Sequence, residues 1–421
     1  MLSNCQPPPL CCDVAIIGGG PSGLAAATEL KKLGVASVVV LEREPQAGGI
    51  PRHCGHPPFG MREFTRIYTG PHYARKLVEH ALRASVTLCL DTSVVSIDEG
   101  GILQLTTPMG LHELRATRVL ICTGIRETPR ATRLVSGQRP LGIATTGALQ
   151  SMVYLQNKIP FKNPVIIGSE LVSFSALLSC RHAGIRPVAM LEENPRITAR
   201  TGTQLLSTAL GIPVHLNTKL LEILGQQRVS GVKVQDVSNG NIRTIDCDGL
   251  VFSGQFVAES SLIRSSHLQT DPQTGSPIID QYGRCSDPIF FATGNMTHPV
   301  ETAGYCWTDG KQTAQYVYAS LSGLLGRPDK RIHITVANPQ IKYITPQLLS
   351  LPEENTPLQG MKKIQLRFKT PCHGRLSIQT PSRELAGKSI HALPERRIEL
   401  SVPELSELKT STSLTIQFSP A

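Results

Sequence analysis

No C-x-x-C pair occurs anywhere in the 421 residues, although eleven cysteines stand at positions 5, 11, 12, 54, 89, 122, 180, 247, 285, 306 and 372. That spacing, with an odd total, excludes a disulfide framework, a zinc knuckle and a four-cysteine iron–sulfur site. Reduced thiols in a cytosolic compartment fit it. Aromatic residues are scarce at 5%, with a single tryptophan, and there is no extended Lys/Arg run, so nucleic acid is not an expected partner. No stretch of ~18 apolar residues is present, and the opening MLSNCQPPPLCC has neither a basic segment nor the apolar core of a leader. The expectation is a soluble, cytoplasmic protein, associated at most peripherally with the inner face of a membrane.

What is present is ordinary globular material: 40% hydrophobic residues and 36 glycines, enough chain for two or three domains of roughly 150 residues each. Basic side chains number 42 against 32 acidic, a net +10 that favours an acidic ligand, partner or membrane surface without requiring one. Residues 13–44, DVAIIGGGPSGLAAATELKKLGVASVVVLERE, read as a βαβ unit. Val14 to Ile17 form a buried strand, Leu24 to Leu33 an Ala/Leu-rich helix stopped by Gly34, and Ser37 to Leu41 a second buried strand. A second such unit spans residues 164–192, with Gly184 closing its helix and Val188 to Leu191 as its following strand. Between the two units, Val86 to Leu90, Val94 to Ile97 and Ile102 to Thr106 suggest a β-meander leading into the buried strand Arg118 to Cys122. Apolar strands are expected at 245–254 and 288–294 and a helix over Thr302 to Leu324, before Gly326-Arg327-Pro328 breaks the pattern.

Beyond that break the texture changes. Ile364/Leu366/Phe368, Leu376/Ile378, Ile398/Leu400/Val402 and Leu414/Ile416/Phe418 alternate with polar neighbours, the mark of half-buried antiparallel strands. The last ninety-one residues carry 12 basic and 7 acidic side chains, read as a solvated surface before a docking face. The fold expected is α/β: two Rossmann-like dinucleotide-binding domains and a small C-terminal β-rich domain. The first domain is split in sequence (1–155 and 276–330), the second is inserted (156–275), and the β-rich domain covers 331–421.

Gly18-Gly19-Gly20-Pro21-Ser22-Gly23 satisfies G-x-G-x-x-G. Gly18 makes the tight turn, Gly20 lets the backbone approach a pyrophosphate, and Gly23 permits close helix–strand packing. The helix N-terminus adds partial positive charge. Glu42, at the end of the following strand, is placed to accept hydrogen bonds from ribose hydroxyls. In the second unit, Gly168-Ser169-Glu170-Leu171-Val172-Ser173 keeps only the first glycine. Glu170 there puts a carboxylate where a pyrophosphate would press on the backbone. Two like charges about 4 Å apart repel by ~1 kcal/mol in water and ~4 kcal/mol at an intermediate dielectric, so NAD(P) binding is disfavoured. Glu192 stands at the ribose-binding position of that unit, where a strand-terminal glutamate is usually just solvated.

GGGPSGLAAA, LERE with Gly48-Gly49, VLICTG at 119–124 and IFFATGN at 289–295 together resemble the FAD fingerprints of two-dinucleotide-fold flavoproteins related to the pyridine nucleotide-disulfide oxidoreductases. The likeness spans about the first 325 residues. GGIPRHCGHPPFG, TGIRETPRATRLVSGQRPLG and HPVETAGYCW are similar to segments of flavoprotein subunits of dye-linked dehydrogenases, such as those of opine oxidase, hydrogen cyanide synthase and hydroxyproline dehydrogenase. They are also similar to the flavoprotein accompanying some glycerol 3-phosphate dehydrogenases.

The resemblance implies an FAD site in which Gly18, Gly20, Pro21, Ser22 and Gly23 hold the pyrophosphate, and Glu42 with Arg43 the adenosine ribose. It places Gly49 and Ile50 near the ribityl or flavin end, Val94 at the adenine, and Thr123 with Gly124 closing the pocket. Asn295 stands where the family usually has an aspartate on the ribityl chain. Thr302 and Ala303 begin the helix facing the flavin C2 carbonyl. The redox dithiol of disulfide reductases is replaced by Ile50-Pro51-Arg52-His53-Cys54-Gly55-His56, so disulfide reduction is not expected. His53, Cys54 and His56 are weak flavin-adjacent candidates, and no metal ligand set is assigned.

The leading reading is an FAD-binding electron-transfer subunit of a heteromeric dehydrogenase acting on a small amino or imino acid or a polyol phosphate. Its partners would be a substrate-oxidising flavoprotein subunit and an iron–sulfur subunit, because residues 331–421 hold only Cys372 and no iron–sulfur centre is expected on this chain. A free-standing NAD(P)H-dependent flavoprotein reductase and a non-catalytic nucleotide-holding scaffold stay open.

Overall fold

The computed structural model describes residues 8–200, 202–298, 300–326, 328, 330–351, 360–409 and 411–421. The opening MLSNCQP, Pro299 of the HPVETAGYCW stretch and Arg327 of the expected break lie outside the described residues. Val14 to Ile17 are at most 5% exposed, as befits a central parallel strand, whose two covered faces call for an unbroken apolar run. The strand Cys11–Ile17 lies between Val38–Leu41 and Gly110–Ile121, parallel to both. Thr87–Cys89 adds to one side of this sheet and Phe290–Ala292 to the other, again in parallel. The intervening helix Pro21–Lys32 stops at Gly34, whose φ of +91° suits glycine. That helix packs on Ala303–Leu321 so closely that a Cβ at Gly310 would stand 2.2 Å from the Ser22 carbonyl oxygen.

One expectation needs correcting here. The run Val86 to Leu90 is not part of the meander: Thr87–Cys89 pairs in parallel with Val38–Leu41 and so belongs to the dinucleotide-type sheet. Short apolar strands of the two kinds look alike until their partners are known. The meander itself is Ser93–Asp98, Ile102–Thr107 and the first half of Gly110–Ile121, all antiparallel.

The middle unit repeats the parallel pattern in the order Val214–His215, Ala189–Leu191, Pro164–Ile167, Gly249–Phe252, Ile143–Thr145. An antiparallel sheet of Thr218–Leu224, Gly231–Asp236 and Ile242–Asp246 sits beside it. Ile143–Thr145 hydrogen-bonds to Gly249–Phe252, and the helix Thr146–Tyr154 follows it directly. Strand pairing therefore puts residues 143–154 with the middle sheet, whereas the expected boundary at 155/156 left them with the front one. At the other end, Ala258, Ile263 and Leu268 belong to the front core, ahead of the expected return at 276. The crossing points are Ile125–Glu127 and Phe256–Ala258, which pair with each other as a two-stranded antiparallel ribbon. Periodicity carries no sign of which of two similar parallel sheets a strand will join.

At the C-terminal end, Leu348–Leu351, Lys330–Val336, Ser413–Pro420, Cys372–Gln379 and Glu384–Ala392 form one sheet. Ile341–Thr345, Lys363–Phe368 and Ile398–Ser401 form a second. Ile364, Leu366, Phe368, Leu376, Ile378, Leu414 and Ile416 are fully buried between them, so the alternating residues make the inner faces. This unit is fastened to the front one by buried polar bonds. Ser350 donates to Asp280 at 2.8 Å, Gln281 donates to the Ser350 carbonyl at 2.6 Å, and Thr345 donates to the Thr297 carbonyl at 2.9 Å. No helix among the described residues is long and apolar enough to cross a membrane.

Candidate functional site

The N-terminal ends of three helices define the chemistry of the two dinucleotide clefts. In the front cleft, Gly20 is the N-cap of Pro21–Lys32, with φ −80° and no side chain capping it, and the first turn contains no acid. Its first-turn N–H groups therefore lack intrahelical partners and point outward for an anion. Gly18, at φ +107°, lies against Cys122, and a Cβ there would meet the Cys122 carbonyl oxygen at 2.6 Å. A Cβ on Gly23 would sit 2.0 Å from the Gly18 carbonyl oxygen, so the third glycine is a packing requirement. Gly20 differs: the nearest heavy atom to its hypothetical Cβ is Gly49 Cα, 4.0 Å away. The protein does not need glycine at 20 for packing. The open space there is what a diphosphate requires.

Glu42 is 7% exposed. Its Oε2 accepts the Gly19 N–H at 2.9 Å and its Oε1 the Glu44 N–H at 2.9 Å. A carboxylate offers about four lone-pair sites, so capacity for ribose hydroxyls is left. Arg52 Nε and His53 Nε2, in the turn Ile50–His53 beside Gly49, are buried without hydrogen-bond partners. An orphaned guanidinium N–H and an orphaned imidazole nitrogen beside an open glycine cradle fit an FAD that would meet them. The helix Ala303–Leu321 starts after Thr302 with no side-chain cap and no acid in its first turn, the polarity needed beside a flavin C2 carbonyl.

The middle cleft has the same frame with its polar groups already spent. Glu170 is the N-cap of Leu171–His182, and its Oε1 accepts the Gln255 N–H at 2.9 Å. Its carboxylate fills the space over Gly254 so closely that a Cβ on Gly254 would come within 2.4 Å of Oε1. Glu192, expected to be solvated, is 6% exposed instead. It accepts from Asn194 N at 2.9 Å, Asn194 Nδ2 at 2.6 Å, Thr198 Oγ1 at 3.3 Å and Ser169 Oγ. All its lone-pair sites are engaged by the protein.

Two residues that sequence reasoning passed over complete the plug. Glu127 accepts the Gly147 N–H at 2.8 Å and the Gly254 N–H at 3.1 Å, and burial raises its pKa. Arg133 donates to the carbonyls of Thr128 at 3.0 Å and Gly254 at 2.7 Å. Both lie in TGIRETPRATR, a stretch whose chemistry depends on the crossing ribbon that brings it to Gly254.

The remaining expected site residues fall as follows. Arg43 is exposed and Ile50 is 48% exposed at the cleft mouth. Val94 lies in the first meander strand, just after Thr92 N–H bonds the Glu42 carbonyl. Thr123 donates to the Glu259 carbonyl at 2.8 Å, and Gly124 follows at φ +74°, so the pair ties the two crossing segments together beneath the cleft. Asn295 is engaged within its own loop: Oδ1 accepts the Glu301 N–H at 2.6 Å while Nδ2 donates to the Glu301 carbonyl at 3.0 Å. An aspartate could not make the second bond, which accounts for the amide at this position. Asn295→Asp is expected to lower stability by about 1–3 kcal/mol, because it leaves a carbonyl facing a carboxylate. Urea unfolding reads this directly.

The candidates His53, Cys54 and His56 do not converge on one point. Cys54 is 8% exposed, and its thiol approaches the Ile50 carbonyl at 3.5 Å and Gln150 Oε1 at 3.6 Å. Burial pushes its pKa up to about 12, so the reactive thiolate is suppressed. Iodoacetamide is expected to label the exposed Cys11 while sparing Cys54 until the protein unfolds, as peptide mapping would show. His56 bonds across to Ser175 of the middle unit.

His53 has its pKa lowered to about 4, by burial first and then by Arg52. Its ordinary value is ~6.5. The unfolded chain therefore takes up a proton on acidification before the folded one does. The resulting stability is complete above about pH 6.5 and is lost as pH falls toward 4, by about 3 kcal/mol at most. Replacing His53 with Gln is expected to flatten that limb of a Tm-against-pH profile.

The profile of the family described as pyridine nucleotide-disulphide oxidoreductase matches residues 12–319, well over half of the chain. An opine oxidase subunit from Rhizobium meliloti (strain 1021) is 27% identical over 265 residues, covering 61% of this chain and 55% of that protein. An alkyl hydroperoxide reductase subunit from Pseudomonas putida is 24% identical over 298 residues, covering 68% and 53%. The chain spans about half the length of these curated relatives. Among solved structures, thioredoxin reductase of T. acidophilum superposes with a TM-score of 0.63 at 23% identity, over 74% of this chain and 99% of that one. That likeness is one of fold.

Proposed function

The chain belongs to the pyridine nucleotide-disulphide oxidoreductase family, and from that premise we propose that it is the FAD-binding electron-transfer subunit of a heteromeric dehydrogenase. Its substrate is a small amino or imino acid, or a polyol phosphate. Its partners are a substrate-oxidising flavoprotein subunit and an iron–sulfur subunit. The similarity to a protein named as an opine oxidase subunit supports a subunit role.

The observation that carries the reading is the contrast at one position in two matching frames. Gly20 leaves the front cradle open, while Glu170 puts a carboxylate on the Gln255 N–H in the middle one. FAD, when bound, supplies the two-electron acceptor. The first turn of Pro21–Lys32 holds the diphosphate, Glu42 receives the ribose, and the N-terminus of Ala303–Leu321 stabilises negative charge at the pyrimidine end of the flavin. Glu170 keeps nicotinamide nucleotide out, so electrons arrive from an amine or alcohol donor handled with a partner.

The test is to purify the chain with the products of neighbouring genes and record which donor bleaches the flavin band anaerobically. An amino acid, imino acid or polyol phosphate is expected to do so in the complex, and NADH is expected to leave the band unchanged. Rapid bleaching of the isolated chain by NADH would overturn the proposal.

A further inference from the structure

The C-terminal unit reaches the edge of the front cleft through one nearly buried ion pair. Arg367, on the strand Lys363–Phe368, donates from Nη2 to Glu301 Oε1 at 2.7 Å and to the Val300 carbonyl. The Arg367 side chain is 12% exposed and that of Glu301 7%. Glu301 directly precedes Thr302, the N-cap of Ala303–Leu321, and its backbone is tied to the Asn295 amide. This loop borders the diphosphate cradle, because a Cβ on Gly294 would stand 2.7 Å from Ser22 Oγ.

A carboxylate in this place works against the helix behind it. The helix N-terminus favours negative charge. Two-electron reduction of a flavin with uptake of one proton adds one negative charge, which settles at the pyrimidine end. Glu301, standing just ahead of the same N-terminus, would repel that charge, and charges held out of water are screened little. An unpaired carboxylate so deeply placed is also costly in itself. Both costs are removed by a cation held against Glu301.

The other charges nearby have other partners. Arg397 is 4.0 Å from Glu301 but 3.3 Å from Glu399, and its guanidinium lies over the Tyr305 ring, as does that of Arg62. Glu63 accepts from the Tyr73 hydroxyl. Lys342 adds a positive charge near Arg367 and Glu170 a negative one. Arg367 is the cation in hydrogen-bond contact with Glu301.

We propose that Arg367 is a positioning residue of the flavin site, supplied by the C-terminal unit: by neutralising Glu301 it leaves the N-terminus of Ala303–Leu321 free to hold the charge of reduced flavin, so the pair sets the flavin's reduction potential. The proposal rests on the FAD reading and gives the C-terminal unit a part in it. The test is the two-electron potential of the flavin bound to the full chain, measured anaerobically against a reference dye at pH 8. Glu301→Gln is expected to raise it and Arg367→Met to lower it. Each shift should change the reduced-to-oxidised ratio at a fixed dye potential at least tenfold, about 30 mV for two electrons. The double variant is expected to return toward wild type. A merely structural pair would not give shifts of opposite sign that cancel. If Arg367→Met fails to fold, Glu301→Gln and the double variant decide. Shifts of the same sign, or an unchanged potential in a flavin-loaded Glu301→Gln protein, would overturn the proposal. Wild type that takes up no FAD, read separately by absorbance, would overturn the reading beneath it and the proposal with it.

Discussion

Gly20→Glu is expected to purify colourless. A side chain at this position meets no heavy atom nearer than 4.0 Å at its Cβ, and φ is −80°, a value any L-residue adopts. The fold should therefore be untouched: far-UV circular dichroism matches wild type, and Tm equals that of wild type stripped of flavin. What changes is the ligand. A carboxylate is brought against a diphosphate at the helix N-terminus, and at about 4 Å each like-charged pair costs ~4 kcal/mol at an intermediate dielectric, about three orders of magnitude in affinity. The flavin-to-protein ratio should fall at least tenfold and resist reconstitution with added FAD. Wild-type colour in a folded Gly20→Glu protein would mean that the diphosphate is held elsewhere. Substitution at Gly23 would be a poor substitute experiment, since a Cβ 2.0 Å from the Gly18 carbonyl oxygen disturbs packing first.

The reciprocal change, Glu170→Gly, is expected to raise affinity for nicotinamide nucleotide above that of wild type. It frees the Gln255 N–H and the first turn of Leu171–His182, and it clears the space above Gly254. Removing a repulsion of ~4 kcal/mol sets an upper limit of roughly a thousandfold gain in affinity for NADH, read by equilibrium dialysis or calorimetry. The gain should fall short of that limit because Glu192 stays saturated by Ser169, Asn194 and Thr198 and offers nothing to a ribose. Glu127 also remains on the Gly254 N–H. No gain in affinity would show that Glu170 is not the barrier.

Much of this contrast was legible in the sequence because it is local. Gly20 and Glu170 occupy the same place in two strand–loop–helix units, and the backbone geometry of that turn is fixed by spacing alone. The C-terminal sandwich was legible for the same reason: alternation at Ile364, Leu366 and Phe368 leaves one face of the strand to be buried. What the sequence did not disclose depends on partners far along the chain. Thr87–Cys89 and Ile143–Thr145 are short apolar strands whose sheet is decided by which neighbour they find. Glu192 looks like any strand-terminal acid until Ser169, twenty-three residues earlier, closes on it. Asn295 reads as a ligand by analogy, but the turn to Glu301 uses both ends of its amide.

The C-terminal unit is also close enough to the middle cleft to matter electrostatically. Lys342 and Arg367 both feel the charge of Glu170, and Arg367 donates to Glu301 at 2.7 Å. Glu170 thus has cations near it as well as the Gln255 N–H that it accepts.

Nucleotide stoichiometry is the most direct measurement of the account. The chain, expressed without an N-terminal tag and dialysed against a mixture of FAD and NADH, is denatured, and the released nucleotides are separated and counted against protein. One FAD per chain with no retained NADH is the expected result. Equimolar NADH retained alongside FAD, or retained in place of it, would contradict the claim that one cradle is open and the other closed.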